Sequence, residues 1–231
     1  MDAIHVEDYK GYTVKIVPDN DSENPRTWDN AGKMVCWHRR YDLGDEQPRQ
    51  DPAMYLCGIL GLDSWNYPQN NESLKILMGK MEKDYIVLPL YLYDHSGISI
   101  STSHGYPYND RWDAGQVGFI FISKKDAVKE WGKKLFTKTV EAKAVKYLEG
   151  EVKTYDDYLT GNVYGYQVCD ENDEVVESCW GYYPDHDDTS GYAYCLSEAK
   201  DVVDWMVKEV EAKKWEDAQA LDLVESLNAL C

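Results

Sequence analysis

Two stretches of this chain constrain its fold more than any others, because they are apolar almost without interruption yet far too short to span a bilayer. Tyr85 to Tyr93 reads YIVLPLYLY and Val117 to Ile122 reads VGFIFI, both dense in branched and aromatic residues. A membrane helix needs about 20 apolar residues in a row, so these runs are read as strands, buried on both faces for the first and central in a sheet for the second. Pro89 has no amide proton to donate to a ladder, so the first strand is expected to be an edge or to bulge there.

Amphipathic segments stand around these strands. Asn71 to Lys83 places Leu74, Leu77, Met78 and Met81 on one helical face, with Asn71 as N-cap and Gly79 as a weak point. Ser123 to Asp126 has the form of a capping box and opens helices over 124–134 and 138–149. Ser197 is expected to cap a long helix in which Ala199, Val202, Val203, Met206 and Val210 share a face while Asp201, Asp204, Lys208 and Glu211 face water. Glu216 to Leu230 reads as a last helix with Ala218, Leu221, Val224 and Leu227 as its apolar stripe. Further strands are read at Tyr12 to Val17, Lys33 to His38 and Gly97 to Thr102, with Arg39 to Pro52 as a charged connection. Val163 to Cys169 and Glu174 to Tyr182 form a hairpin across the turn-rich Asp170 to Asp173. The expected class is therefore α+β, with a mixed or mainly antiparallel sheet, amphipathic helices and a helical C-terminus.

Charge suggests where such a chain divides. Residues 149–231 carry 21 Asp and Glu against 5 Lys, a net of −16, whereas residues 1–148 carry 21 acidic against 19 basic side chains, a net of −2. The expected organisation is an α+β core domain over 1–149 and an acidic hairpin-plus-helices subdomain over 150–231, or one continuous domain. Carboxylates at this density repel nucleic acid and membrane phosphates and attract basic surfaces, which argues for a basic protein partner and against direct DNA or membrane binding. The candidate partner-binding carboxylates are Asp170, Glu171, Asp173 and Glu174 in the hairpin turn, Asp185, Asp187 and Asp188 in the following loop, and Asp201, Asp204 and Glu211 on the helix. The 19 Tyr and 8 Trp against 3 Phe are rings with a polar handle, suited to wet sheet edges or to interfaces. Lys124, Lys125, Lys129, Lys133, Lys134, Lys138, Lys143 and Lys146 read as the wet faces of two helices, available to pair with the acidic third of the same molecule or of a second copy.

Metal and cofactor chemistry find little support in the sequence. Asp19 to Pro25 is rich in carboxylates, but an EF-hand loop requires Gly where Asn24 stands and Glu where Asn30 stands, so a solvated turn is expected. Cys36 and His38 offer two ligands without a partner pair at zinc spacing. Six scattered cysteines with no C-x-x-C suit free thiols in a reducing compartment, and no segment has the form of a signal peptide, so a cytoplasmic setting with no cofactor is expected.

One tight turn holds an acid, a base and a hydroxyl: Asp94, His95 and Ser96, followed by Gly97. A second polar turn, Trp112 to Gln116, precedes a strand. A small hydrolytic enzyme built on Asp94, His95 and Ser96 is the catalytic alternative, although neighbours on a turn point in different directions and the G-x-S-x-G elbow is missing. The structural alternative has Asp94 and Ser96 bonding the turn backbone and His95 or Gln116 satisfying buried polar groups.

The strings LYLYDHSGISIST and WDAGQVGFIFISK, with ENPRTWDNAGKMVCWHRRYDLGD before them and YLTGNVYGYQV after, resemble a group of uncharacterised proteins encoded by bacteriophages and related mobile elements. The likeness covers most of residues 20–200. It implies an origin, and brings no established activity or catalytic residues. By analogy with other acidic phage proteins, the expected role is an anti-defence inhibitor, anti-CRISPR or antirestriction, acting in the host bacterial cytoplasm. It would bind a basic host nuclease or CRISPR effector, with spaced carboxylates acting as a DNA mimic. A self-associating phage accessory protein is the remaining alternative.

Overall fold

The computed structural model describes residues 2–102, 114–184 and 190–228, with side chains in the last helix described as far as residue 220. The chain forms two compact units. Met1–Ser22 joins Gly161–Cys231 in one, and Glu23–Thr160 is inserted between them as the other.

The inserted unit is built on a four-stranded sheet. Its strands are β3 (Lys33–Cys36), β4 (Tyr85–Asp94), β5 (Ile98–Ser101) and β6 (Ala114–Ser123), in the order β3-β6-β4-β5 with every pair antiparallel. Every residue from Val117 to Ile122 is buried, as a central strand requires. Along β4 burial alternates instead: Ile86, Leu88, Leu90 and Leu92 are buried while Val87, Pro89 and Tyr91 are only partly covered. The expectation of burial on both faces is corrected here, because the second face opens on an apolar cleft of about 840 Å³ beside Trp37, Leu74 and Met78. Pro89 behaves as its chemistry demands. Leu90 pairs with Gly118 and Tyr91 with Gln116, so the ladder bulges one residue beyond the proline, and β5 pairs with β4 only from Tyr91 onward.

Two helical layers cover this sheet. On one face α1 (Pro52–Leu60) and α2 (Asn71–Met81) bury Tyr55, Leu56, Leu77 and Met81 against Val35, Phe119 and Phe121. On the other, α4 (Lys138–Leu159) buries Val140, Ala144, Leu148, Val152 and Tyr155, a stripe at helical spacing, against Met34, Leu90 and Ile120. The helix expected to stop at residue 149 runs on because its apolar stripe does, and the expected boundary near 150 falls inside it. Helix α1 lay outside the sequence reading although its signals are present. Asp51 accepts from the amides of Ala53 and Met54, Pro52 occupies the first turn, and Gly61 closes the helix at φ 63°. The cap of α2 is Asn70, one residue earlier than expected. Short α3 (Lys124–Glu130) is capped by Ser123, whose hydroxyl accepts from the Asp126 amide, and it ends before the expected residue 134.

β3 and β6 approach so closely that a Cβ on Gly118 would lie 1.9 Å from the carbonyl oxygen of Val35. A backbone atom cannot move aside cheaply. Gly118→Ala is therefore expected to destabilise the unit by roughly 3 kcal/mol, the upper end for overpacking; an unchanged urea midpoint would refute this.

The acidic unit has its own four-stranded antiparallel sheet and one long helix. β1 (His5–Tyr9), β2 (Tyr12–Pro18), β7 (Tyr164–Cys169) and β8 (Val175–Tyr182) lie in the order β1-β2-β7-β8. Strand β1, absent from the sequence reading, turns into β2 through Lys10 and Gly11, both at positive φ, the requirement of a two-residue hairpin. The expected hairpin across Asp170–Asp173 is present. Helix α5 (Ala193–Asn228) packs Cys195, Ala199 and Val203 on Val14, Ile16, Tyr166 and Val168. It corrects two expectations: Ser197 lies inside the helix, and the segment after Glu216 continues the same helix, since Lys213-Lys214-Trp215 contains no breaker. From Lys208 to Ala220 every residue is exposed, including Val210, which was placed on the buried face. The side chains of Leu221, Val224 and Leu227 lie outside the described residues.

Candidate functional site

Charge divides between the two units as unevenly as it does along the chain, but along a different boundary. The acidic unit carries 22 Asp and Glu against 6 Lys, a net of −16, and the inserted unit 20 acidic against 18 basic residues, a net of −2. The first 22 residues contribute to the acidic side, which a reading along the sequence assigned to the near-neutral core.

The ten candidate carboxylates separate by what holds them. Asp170 builds the β7–β8 turn: its Oδ1 accepts from the amides of Asn172 at 2.9 Å and Glu174 at 3.0 Å. The Glu174 amide, then that of Asn172, holds its carboxyl below the usual range. Asp173 takes the Lys15 ammonium at 2.5 Å and Asp204 that of Lys10 at 2.8 Å. Glu171, Glu174, Asp201 and Glu211 are exposed. Asp185, Asp187 and Asp188 lie outside the described residues, as do Trp112 and Asp113. The fold brings Asp170, Glu171 and Glu211 to one cleft of about 400 Å³, where the Lys10–Gly11 turn, the Asp170–Asp173 turn and α5 meet; Lys214 and Val210 complete its wall. Asp204 and Glu211 are seven residues apart on α5, two turns and about 10 Å along one face. What the sequence reading missed is the role of the N-terminal hairpin, whose lysines neutralise two of the ten.

Ion pairing in this unit carries a pH signature. The carboxyl of Asp204 is lowered by its bond to Lys10 and that of Glu7 by its bond to Lys200, as Asp170 is by its amides. A carboxyl lowered on folding stabilises above its unfolded value, about pH 4, and that contribution is lost as pH falls through the lower folded value. Acid unfolding is thus expected to begin below about pH 4, and a Lys10→Ala, Lys200→Ala variant to show a shallower dependence there by circular dichroism. Identical acid limbs for the two proteins would contradict it.

The other predicted groups sit in plainer surroundings. Both oxygens of Asp94 are engaged: Oδ2 pairs with the Arg40 guanidinium, and Oδ1 accepts from the Tyr41 hydroxyl at 3.3 Å. His95 and Ser96 are exposed on the turn, Ser96 at φ 57°, and the His95 amide donates to the Gly97 carbonyl at 3.0 Å. A cleft of about 290 Å³ beside Asp94 is lined by His38 and Arg40. A hydrolytic relay needs a carboxylate orienting the base, and Asp94 is held by Arg40 and Tyr41. Gln116 donates to the Gly118 carbonyl at 3.4 Å.

Cys36 is fully buried and burial pushes its thiol up to about 12, the opposite of a metal-binding thiolate. The His38 Nδ1 accepts from the amides of Arg40 and Tyr41. Asp19, expected in a solvated turn, is 9% exposed and accepts from the amides of Asp21 and Gly181. Among the described residues no cluster of three or more metal-ligating side chains occurs, the five cysteines are free, and no helix is long and apolar enough to cross a membrane. Comparison of the chain with protein-family models, with curated proteins and with solved structures gives no match.

Proposed function

We propose that this protein works by binding, its acidic unit docking on a basic, nucleic-acid-binding protein and occupying the surface that nucleic acid would use. The observation that carries this reading is the concentration of a net −16 on one folded unit, with Glu171, Glu174, Asp201 and Glu211 exposed on it. Carboxylates fixed on a hairpin turn and a helix present charge at set spacings without the ordering cost of a loose acidic tail. The sequence resemblance to phage proteins makes the partner a host nuclease or CRISPR effector met in the bacterial cytoplasm, and the protein an anti-defence inhibitor.

Capture from bacterial lysate at low salt, with elution along a salt gradient and identification by mass spectrometry, tests it. The proposal expects the wild type and His95→Ala to recover the same DNA-binding protein. A variant with Glu171, Glu174, Asp201 and Glu211 changed to amides is expected to release it at lower salt, and DNA to compete for the purified partner. A partner retained equally by the amide variant, or indifferent to DNA, would sink the reading; dependence on His95 would favour the hydrolytic alternative.

A further inference from the structure

In the inserted unit, which holds none of the acidic candidates, a cleft of about 580 Å³ is framed by three rings and two ammonium groups. Trp28 comes from the loop after a 3-10 turn (Pro25–Thr27), Trp131 caps the end of α3, and Tyr147, Lys143 and Lys146 come from α4. Trp28 and Tyr147 are each 44% exposed, and Trp131 meets Tyr147 edge to face with ring centroids 5.9 Å apart.

Beside this cleft stands a buried side chain with four hydrogen bonds. The Arg26 side chain, 2% exposed, forks onto Asp45 with two bonds of 2.7 Å, donates to Glu151 at 2.9 Å, and donates to the Gly32 carbonyl at 2.7 Å. The second oxygen of Glu151 accepts from the amides of Ala31 and Gly32. Together these bonds clamp the loop onto α4 both before and after Trp28 in the sequence. Glu151 lines the cleft with both oxygens bonded, and Lys143 and Lys146 bring positive charge to the same lining.

Gly150, in the interior of a 22-residue helix, also lines the cleft. A Cβ built there meets nothing within 4 Å. Packing therefore does not require the glycine, and an alanine in such a position would raise the melting temperature by about 2–4 °C. What the missing side chain provides is open space in the cleft lining.

We propose that this cleft binds a small planar aromatic ligand carrying one anionic group, its ring among Trp28, Trp131 and Tyr147 and its anion on Lys143 and Lys146. Tryptophan and tyrosine faces suit a flat ring, and a mostly apolar cleft of this volume with a few convergent charges is the common form of a small-molecule site. The carboxylates of Glu151 in the lining and of Glu130 and Asp29 outside it all act on Tyr147, which favours a single anionic group over a polyphosphate.

The test uses the full chain and ligand-observed NMR with two ring-plus-anion probes, AMP and indole-3-acetate, beside adenosine, indole and inorganic phosphate. At least one charged-ring probe is expected to bind, at least tenfold tighter than its uncharged counterpart. Gly150→Leu is expected to abolish binding while keeping or raising the melting temperature, and Lys143→Glu with Lys146→Glu to weaken it at least tenfold. Silence from both charged probes at millimolar concentration, equal binding of the uncharged rings, or undiminished binding by folded Gly150→Leu would each overturn the proposal.

Discussion

Arg26→Ala is expected to destabilise the inserted unit by about 3–5 kcal/mol, the range for removing one partner from a buried ion pair. Burial alone would draw the guanidinium pKa down; Asp45 and then Glu151 reverse that and leave it above its ordinary value. With alanine in its place, Glu151 at 7% side-chain exposure and Asp45 at 23% lose the cation that compensates them. Arg26→Lys should recover only part of the loss, because an ammonium cannot fork onto both oxygens of Asp45 while also reaching Glu151 and the Gly32 carbonyl. At a urea dependence of about 2–3 kcal/mol/M the alanine variant should unfold roughly 1–2 M earlier. A shift worth less than about 1 kcal/mol would mean that water replaces the guanidinium, and that the node is not what clamps the Trp28 loop.

Reversing Glu171, Glu174, Asp201 and Glu211 to lysine takes the formal net charge from −18 to −10 and is expected to slow association with the captured partner by on the order of 10–1000-fold at low salt. Steering charges act mainly on the association rate, and the difference should shrink as ionic strength rises and the Debye length falls below about 10 Å. Thermal unfolding should change little, since all four side chains are exposed. Asp170→Ala is the informative contrast. Its carboxylate closes the β7–β8 turn, so its loss should loosen that hairpin while altering the charge by only one. Rates measured by stopped flow at two salt concentrations separate the cases, and equal rates for wild type and the reversed variant would refute a steering role for these carboxylates.

These contrasts also show what could be read before the fold was known. Strand and helix content was legible wherever chemistry is local: the branched and aromatic runs of β4 and β6, the bulge beside Pro89, the Ser123 cap, and the turn residues of Asp170–Asp173. Helix α1 was legible too, in Asp51, Pro52 and Gly61, but its nearly uniform apolar composition hides the periodicity that marked α2. The length of α4 was written in Val152 and Tyr155, and the charge change near residue 149 masked it.

The sequence by itself determined an α+β chain with a mixed or mainly antiparallel sheet and amphipathic helices, and that its negative charge is unevenly distributed, because propensity, spacing and composition are properties of neighbouring residues. Only the tertiary structure decided which residues share a unit. Strand β2 pairs with β7 across more than 140 residues, bringing Lys10 and Lys15 to Asp204 and Asp173. Arg26 likewise reaches Glu151 across 125 residues. Pairings at that separation are set by how sheets and helices bury their faces, and no local pattern encodes them.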